Sequence, residues 1–233
     1  MPASSRDRLV AAAFELFEAQ GYDATTIEEI ATRASTGRST FFRHFRGKED
    51  VVLPDHEALL PRLAARLATA STDAHEVALR EAADIVLTHY LQEGATARAR
   101  YRLTSTVPAI RDREIASGQR YVRLFGQQIH AWLDAEPDGP LRAELVASAI
   151  VIAHNHVLRG WLRGEIEEEA QAHALLDQAL DLALPLLHPA TTAASPTIVI
   201  NSGQTDVEHV VAQVRRALSS NGKNCVGRGV EPS

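Results

Sequence analysis

The chain has 233 residues, 45% of them hydrophobic, and a formal net charge of −6 at pH 7. That apolar content supports a substantial core without staples, and the single cysteine, Cys225, excludes an internal disulfide and fits a reducing compartment. The greasiest stretch, Leu145 to Ala153, stops at His154-Asn155-His156, short of the roughly 20 residues a membrane helix needs. Met1-Pro2-Ala3-Ser4-Ser5-Arg6 lacks the apolar run of an export signal, so the expectation is a cytoplasmic protein with no membrane partner.

Leu9, Val10, Ala13, Phe14, Leu16 and Phe17 recur at helical spacing between Ser4 and Gln20, and Gly21 follows as a stop. Thr25-Thr26-Ile27-Glu28 reads as a capping box, with Thr25 as the cap and Glu28 reaching back. It opens a second helix of about two turns with Ile27, Ile30, Ala31 and Ala34 on one stripe. Ser35-Thr36-Gly37 breaks that helix. A third short helix runs from Arg38 to His44, with Phe41 and Phe45 one turn apart as core and Phe42 beside them. Two small helices joined by a tight turn and backed by an apolar helix make a helix-turn-helix, whose second helix enters the DNA major groove.

Charge points to the same place. Arg33, Arg38, Arg43, Arg46 and Lys48 lie in a window, Ala31 to Lys48, that contains no acidic residue. Charge alone favours an ordinary solvated face, but here it coincides with the predicted reading helix, and distribution matters more than net charge.

Gly47 separates this unit from a longer fourth helix, which Pro54 and Pro61 delay or kink. Later helices are expected at Ala74 to Gln92, Thr96 to Thr104, Pro108 to Ala135, Pro140 to Arg163 and Glu168 to Leu187, with Pro108 and Pro140 at first-turn positions. Pro189 to Pro196 reads as a linker, Thr197 to Ile200 as a short strand and Gln204 to Leu218 as an amphipathic helix, followed by a disordered end. The expected class is all-α, with a three-helix DNA-binding domain at 1–47, a helical effector-binding and dimerisation domain at 48–188, and an extension at 189–233.

The segments Thr25-Thr26-Ile27-Glu28-Glu29-Ile30-Ala31, Ser39-Thr40-Phe41-Phe42-Arg43-His44-Phe45 and Lys48-Glu49-Asp50 resemble the DNA-binding domain of the TetR family of bacterial regulators. The resemblance implies a three-helix DNA reader fused to a six-helix ligand and dimerisation body. It departs in the turn, where Ala34-Ser35-Thr36-Gly37 replaces the usual alanine, glycine, valine, serine. Ser35 must then accept a geometry uncommon outside Gly, Asn and Asp. Thr36 needs a partner for its hydroxyl, and Gly37 gives a weaker cap than serine. A looser resemblance, carried by Arg100-Tyr101-Arg102-Leu103, Val107-Pro108-Ala109 and Arg111-Asp112-Arg113-Glu114, is to actinobacterial members related to the mycofactocin regulator, which implies acyl-CoA-like effectors.

By the resemblance, Thr25 or Thr26, Phe42, His44 and Lys48 sit where the family touches the DNA backbone, though Phe42 lacks the hydroxyl that a tyrosine there donates. Arg38, Ser39 and Thr40 open the reading helix and Arg43 lies a turn further on, which makes them candidates for base contacts. Tyr90, Phe125, Trp132 and His154 on apolar faces, with Tyr101 and Arg102 in the arginine-rich stretch, are candidates for the effector site. The alternatives are aromatic core, solvated arginines and a satisfied core or interface histidine. Neighbours two apart on a helix face different ways, so His154 and His156 do not form a metal pair, and no cofactor is expected. A palindromic operator requires two reading helices, hence a homodimer through helices 140–163 and 168–187, with Val146, Ala149, Ile150 and Ala153 small enough for close packing. The function expected is an effector-released repressor, and the competing class is a ligand-independent DNA-binding or interaction module. An enzyme lacks its motifs here: there is no phosphate-binding glycine loop and no nucleophile elbow.

Overall fold

Ser4 opens the first helix by accepting from the amide of Asp7 while the Asp7 carboxylate accepts from the Ser4 amide. The computed structural model describes residues 4–136 and 138–188. Among them lie ten α-helices and no strand. In order they are α1 (Ser5–Gln20), α2 (Ile27–Arg33), α3 (Arg38–His44), α4 (Lys48–Val52), α5 (His56–Ala68), α6 (His75–Glu93), α7 (Ala95–Thr106), α8 (Pro108–Leu133), α9 (Gly139–Leu162) and α10 (Glu169–Ala183), with 3-10 turns at Thr72–Ala74 and Leu184–Leu187. The all-α class is as expected. The linker, strand, helix and disordered end expected beyond residue 188, and Cys225, lie outside the described residues.

The long fourth helix does not form. Pro54 has no amide to continue the ladder and biases Leu53 to extended backbone, so α4 is five residues long and the chain restarts at α5, capped by the Asp55 side chain. Pro61, by contrast, is carried inside α5. The capping box also shifts by one residue. Thr26, not Thr25, caps α2 and pairs with Glu29, because the Thr25 hydroxyl is buried and donates to the Gly21 carbonyl at 2.8 Å.

Two apolar clusters organise residues 4–188. The first gathers Leu9, Ala13 and Phe17 of α1, Ile30 of α2, Phe41 and Phe45, and Val51, Val52 and Leu53, so Phe41 and Phe45 are core. The second is built on α5, α6, α8, α9 and α10. Their junction is the corner between α7 and α8. Ile110, in the first turn of α8, is fully buried in the first cluster, with Leu103 and Val107 packed beside it. Val146 and Ile150 are fully buried in the second cluster, so they are core and not free for a partner chain. The apolar side chains α9 and α10 present to solvent are Leu141, Leu145, Ile152 and Leu182. By length and composition α9 is long and apolar enough to cross a membrane, a test that the core helix of a soluble protein also passes, and half of its most apolar window is buried within the fold.

Arg100 fastens the same junction. Its guanidinium, 3% exposed, donates to the carbonyl of Val52 at the end of α4 and to both carboxylate oxygens of Glu93 on α6. Removing one partner of such a buried pair strands the other's charge. Arg100→Leu is therefore expected to cost about 3 kcal/mol in chemical denaturation, with the double variant Arg100→Leu/Glu93→Leu recovering part of the loss.

Candidate nucleic-acid interface and effector cavity

The turn between α2 and α3 is tight because Ala31 accepts twice. Its carbonyl takes the Thr36 amide at 2.9 Å and the Thr36 hydroxyl at 3.3 Å, which supplies the partner that hydroxyl needed. Ser35 sits at φ +52°, the left-handed geometry that glycine takes without strain. Gly37 caps α3 through its carbonyl, to the amides of Thr40 and Phe41, with no side-chain contribution. Arg8 of α1 donates to the Ala34 carbonyl at 3.3 Å and pins the turn from behind.

The outer face of α3 carries Arg38, Ser39, Phe42, Arg43 and His44, all exposed, with Thr40 half-buried. The positive charge nearby is partly spoken for. Arg33 pairs with Glu15 at 2.7 Å, and Arg38 pairs with Glu28 and lies 5.4 Å over the Phe42 ring. His44 contacts the Ser5 hydroxyl through Nε2 at 2.8 Å. Lys48 turns inward, donating to the carbonyls of Tyr22 at 2.6 Å and Thr25 at 2.8 Å and resting 4.3 Å over the Tyr22 ring. Arg43 and Arg46 have no side-chain partner among the described residues and are the cations most available to a polyanion. Of the two threonines, Thr26 is exposed and Thr25 is not.

The second cluster encloses a cavity of about 420 Å³. Ala83, Val86 and Phe125 give it apolar walls, and Tyr90, Tyr101, Tyr121, His56 and His154 add rings. Arg111, Glu114 and Arg159 border it as well. Arg111 is committed to the carbonyls of Thr104 at 3.4 Å and Ser105 at 2.6 Å at the end of α7, whereas Arg159 is exposed and has no partner among the described residues. Inside, His56 Nδ1 meets the Tyr121 hydroxyl at 2.9 Å and His154 Nδ1 meets the Asn155 side-chain oxygen at 3.3 Å. Burial pushes both imidazoles down to about 4, helped at His56 by Arg120 and Arg100, so both are neutral at pH 7. Burial also pushes the Tyr90 and Tyr121 phenols up, which keeps them protonated.

The family model of bacterial regulatory proteins, tetR family, matches residues 9–53, the span from α1 through α4. The HTH-type transcriptional regulator TcmR of Streptomyces glaucescens is 31% identical over 175 residues, which cover 71% of this chain and 76% of that protein. The chain belongs to the TetR family. Solved structures agree on the fold. A protein assigned to that family from Syntrophomonas wolfei gives a TM-score of 0.59 at 18% identity, covering 81% of this chain and 97% of the other. The SmeT–triclosan complex, SmeT being a repressor from Stenotrophomonas maltophilia, gives 0.52 at 16% identity over 81% and 97%. As a TetR-family member the chain is a DNA-binding transcriptional regulator, and the comparisons point to regulation, not to catalysis.

Within this TetR framework, Tyr90, Tyr101, Phe125 and His154 all border the cavity, as the sequence reading grouped them. Trp132 does not; its indole stacks on the His75 ring at 3.9 Å and 7°. Arg102 borders a different cleft, where Arg98 lies 4.7 Å over Trp161. Nothing local in the sequence marks His56, Tyr121 or Arg159 as cavity residues. His56 comes from the start of α5 and meets Tyr121 across 65 positions of sequence.

Two outcomes follow from this geometry. Ser35→Gly relieves the positive φ and is expected to stabilise the protein by about 1 kcal/mol in a denaturant titration, net of the extra chain freedom of glycine. The histidines set an acid dependence. Their folded values lie below the unfolded value of about 6.5, so the unfolded chain takes up the protons first. Their contribution to stability is complete above about pH 6.5 and is lost as pH falls toward 4, on the order of 1 to 2 kcal/mol for each at pH 5. The melting temperature should therefore drop between pH 7 and 5, and His154→Phe should flatten that drop.

Proposed function

We propose that the chain is a dimeric, effector-controlled repressor that reads a palindromic operator through α3 and is released when a small ligand fills the cavity. In this reading residues 1–47, with α4 packed beneath them, form the DNA-binding head, and the helices within 48–188 form the effector-binding and dimerisation body. The observation that carries it is that the elements lining the cavity also hold the head. Tyr101 and Thr104 of α7 and Arg111 and Glu114 of α8 border the cavity, while Arg100 and Ile110 beside them grip Val52 and the head's core. Arg113 adds an ion pair to Asp50 at 2.6 Å. A ligand that shifts the α7–α8 corner prefers one position of the head over another, which is the differential affinity any such control requires.

The exposed Leu141, Leu145 and Ile152, at spacing that puts them on one face of α9, and the exposed Leu182 on α10 support dimerisation through these two helices. Two copies then set their reading helices about one DNA turn apart. Within the head, Arg38, Ser39, Thr40 and Arg43 face base edges, and Thr26, Phe42 and His44 lie against the backbone. Thr25 and Lys48 act on the DNA indirectly, because they fix the loop between α1 and α2. For the effector, the cavity's apolar walls with the unpartnered Arg159 at its border support an elongated, mainly apolar molecule with an anionic group. An acyl-CoA-like thioester is such a molecule, with only its acyl portion inside, and Arg159 takes the role that the sequence suggested for Arg102.

DNA selection from a randomised library tests the head assignment. Arg43→Ala is expected to relax preference at one position of each half-site, by about 1 to 3 kcal/mol per lost bidentate contact. Lys48→Ala should instead weaken binding to every sequence alike, with a lower melting temperature. Uniform loss in both variants, or binding by the wild-type chain that ignores sequence, would remove the assignment.

A further inference from the structure

Two histidines that border the cavity each keep one buried ring nitrogen without a protein partner. His154 is 6% exposed and His56 8%, both rings border the cavity, and Nε2 of each meets no hydrogen-bonding protein atom. Their other nitrogens are committed, to Asn155 and Tyr121. A buried polar group normally finds a partner, and leaving one unpaired is costly. At His154 the Asn155 oxygen only accepts, so Nδ1 holds the proton and Nε2 accepts; at His56 the Tyr121 hydroxyl serves either tautomer, so that Nε2 accepts or donates. A hydroxyl group serves in either case, because it both donates and accepts. Carboxylates do not suit these sites, since neutral imidazoles bring no counter-charge. The ring-lined walls, Tyr90, Tyr101, Tyr121 and Phe125, favour flat or cyclic frameworks that stack on or edge against them.

We infer that the buried part of the effector is a ring-containing apolar framework bearing two hydroxyl groups, one bound by His56 and one by His154. The inference rests on the reading of this cavity as the effector site and narrows it to a chemical class. Neither Nε2 is in contact with solvent in this state, so each ring tilts toward the cavity as its hydroxyl arrives. That tilt matters most at His56. It is the first residue of α5, directly after Asp55, whose carboxylate caps α5 and pairs with Arg6 of α1 at 3.3 Å. A hydroxyl drawn onto His56 therefore acts on the connection between α4 and α5 as well as on the cavity wall.

The test uses the purified full chain and three probes of increasing span, dihydroxynaphthalene, dihydroxybiphenyl and dihydroxystilbene, each compared with its dimethyl ether by calorimetry. At least one diol is expected to bind about tenfold or more tightly than its ether, since an ether oxygen accepts but cannot donate a hydrogen bond to an imidazole nitrogen. His56→Asn and His154→Asn keep a group in the place of Nδ1 and lack Nε2, so each should pull that ratio toward one. His154→Gln reaches the place of Nε2 and should keep most of it. Melting temperatures without probe identify any variant that fails to fold, and Phe replacements then serve as the second loss variants. Ethers that bind as tightly as diols at every span, or a preference that survives in both Asn variants, would overturn the inference. Release from a selected operator fragment is scored on the same samples. A diol that binds with the histidine signature yet leaves DNA bound supports the hydroxyl assignment and refutes the effector reading. An unbranched fatty acyl-CoA that releases DNA equally from wild type and both Asn variants, with no diol binding, overturns the hydroxyl assignment and leaves the effector reading standing.

Discussion

The corner between α7 and α8 is where the rest of the molecule is held. Ile110 is fully buried in the head's core although it belongs to the first turn of a 26-residue body helix, and Arg100 one helix earlier bonds a head carbonyl with one nitrogen and a body carboxylate with the others. An apolar wedge resists separation of head and body in any direction. A guanidinium adds direction, because its planar fork bonds well only when Val52 and Glu93 stand at the right angle to one another. Together they make the position of α4, and through α4 that of α1 and α3, depend on where the start of α8 lies.

This arrangement explains why the polar groups of the body are distributed as they are. Ion pairs along the junction, Arg113 with Asp50 and Arg6 with Asp55, are partly exposed and individually weak. They orient the head without locking it. The strong terms are concentrated at Ile110 and Arg100, next to the cavity wall.

The DNA face shows the same economy. Most of its cations are already paired within the chain, Arg33 with Glu15, Arg38 with Glu28 and Lys48 with loop carbonyls. Arg43 and Arg46 differ in having no side-chain partner among the described residues. Lys48 shows how one residue type serves two purposes: its charge belongs to the basic window, but its hydrogen bonds belong to the loop that presents α2.

Local signals in the sequence determined the helices almost throughout, because Ser4, Gly21, Pro108 and the periodic apolar residues act through neighbours three or four positions away. They also determined the turn: the strain at Ser35 and the need for a partner at Thr36 follow from which residues stand there. Capping was legible only to within one position, since Thr25 and Thr26 are chemically alike and burial alone separates them. The break after α4 was visible as Pro54, but not that Pro61 would be carried within a helix, because whether a neighbouring fold stabilises a kinked turn is a tertiary matter. Four of the aromatic and histidine residues grouped from sequence do meet at one cavity, while Trp132 and Arg102, equally suitable in type, face elsewhere. Their helices carry apolar or basic residues on more than one face, and only the packing of α6, α8 and α9 decides which face looks inward. His56 and Tyr121, 65 positions apart, carry no joint pattern at all; the tertiary structure alone brought them together, because long-range contacts leave no trace in local periodicity.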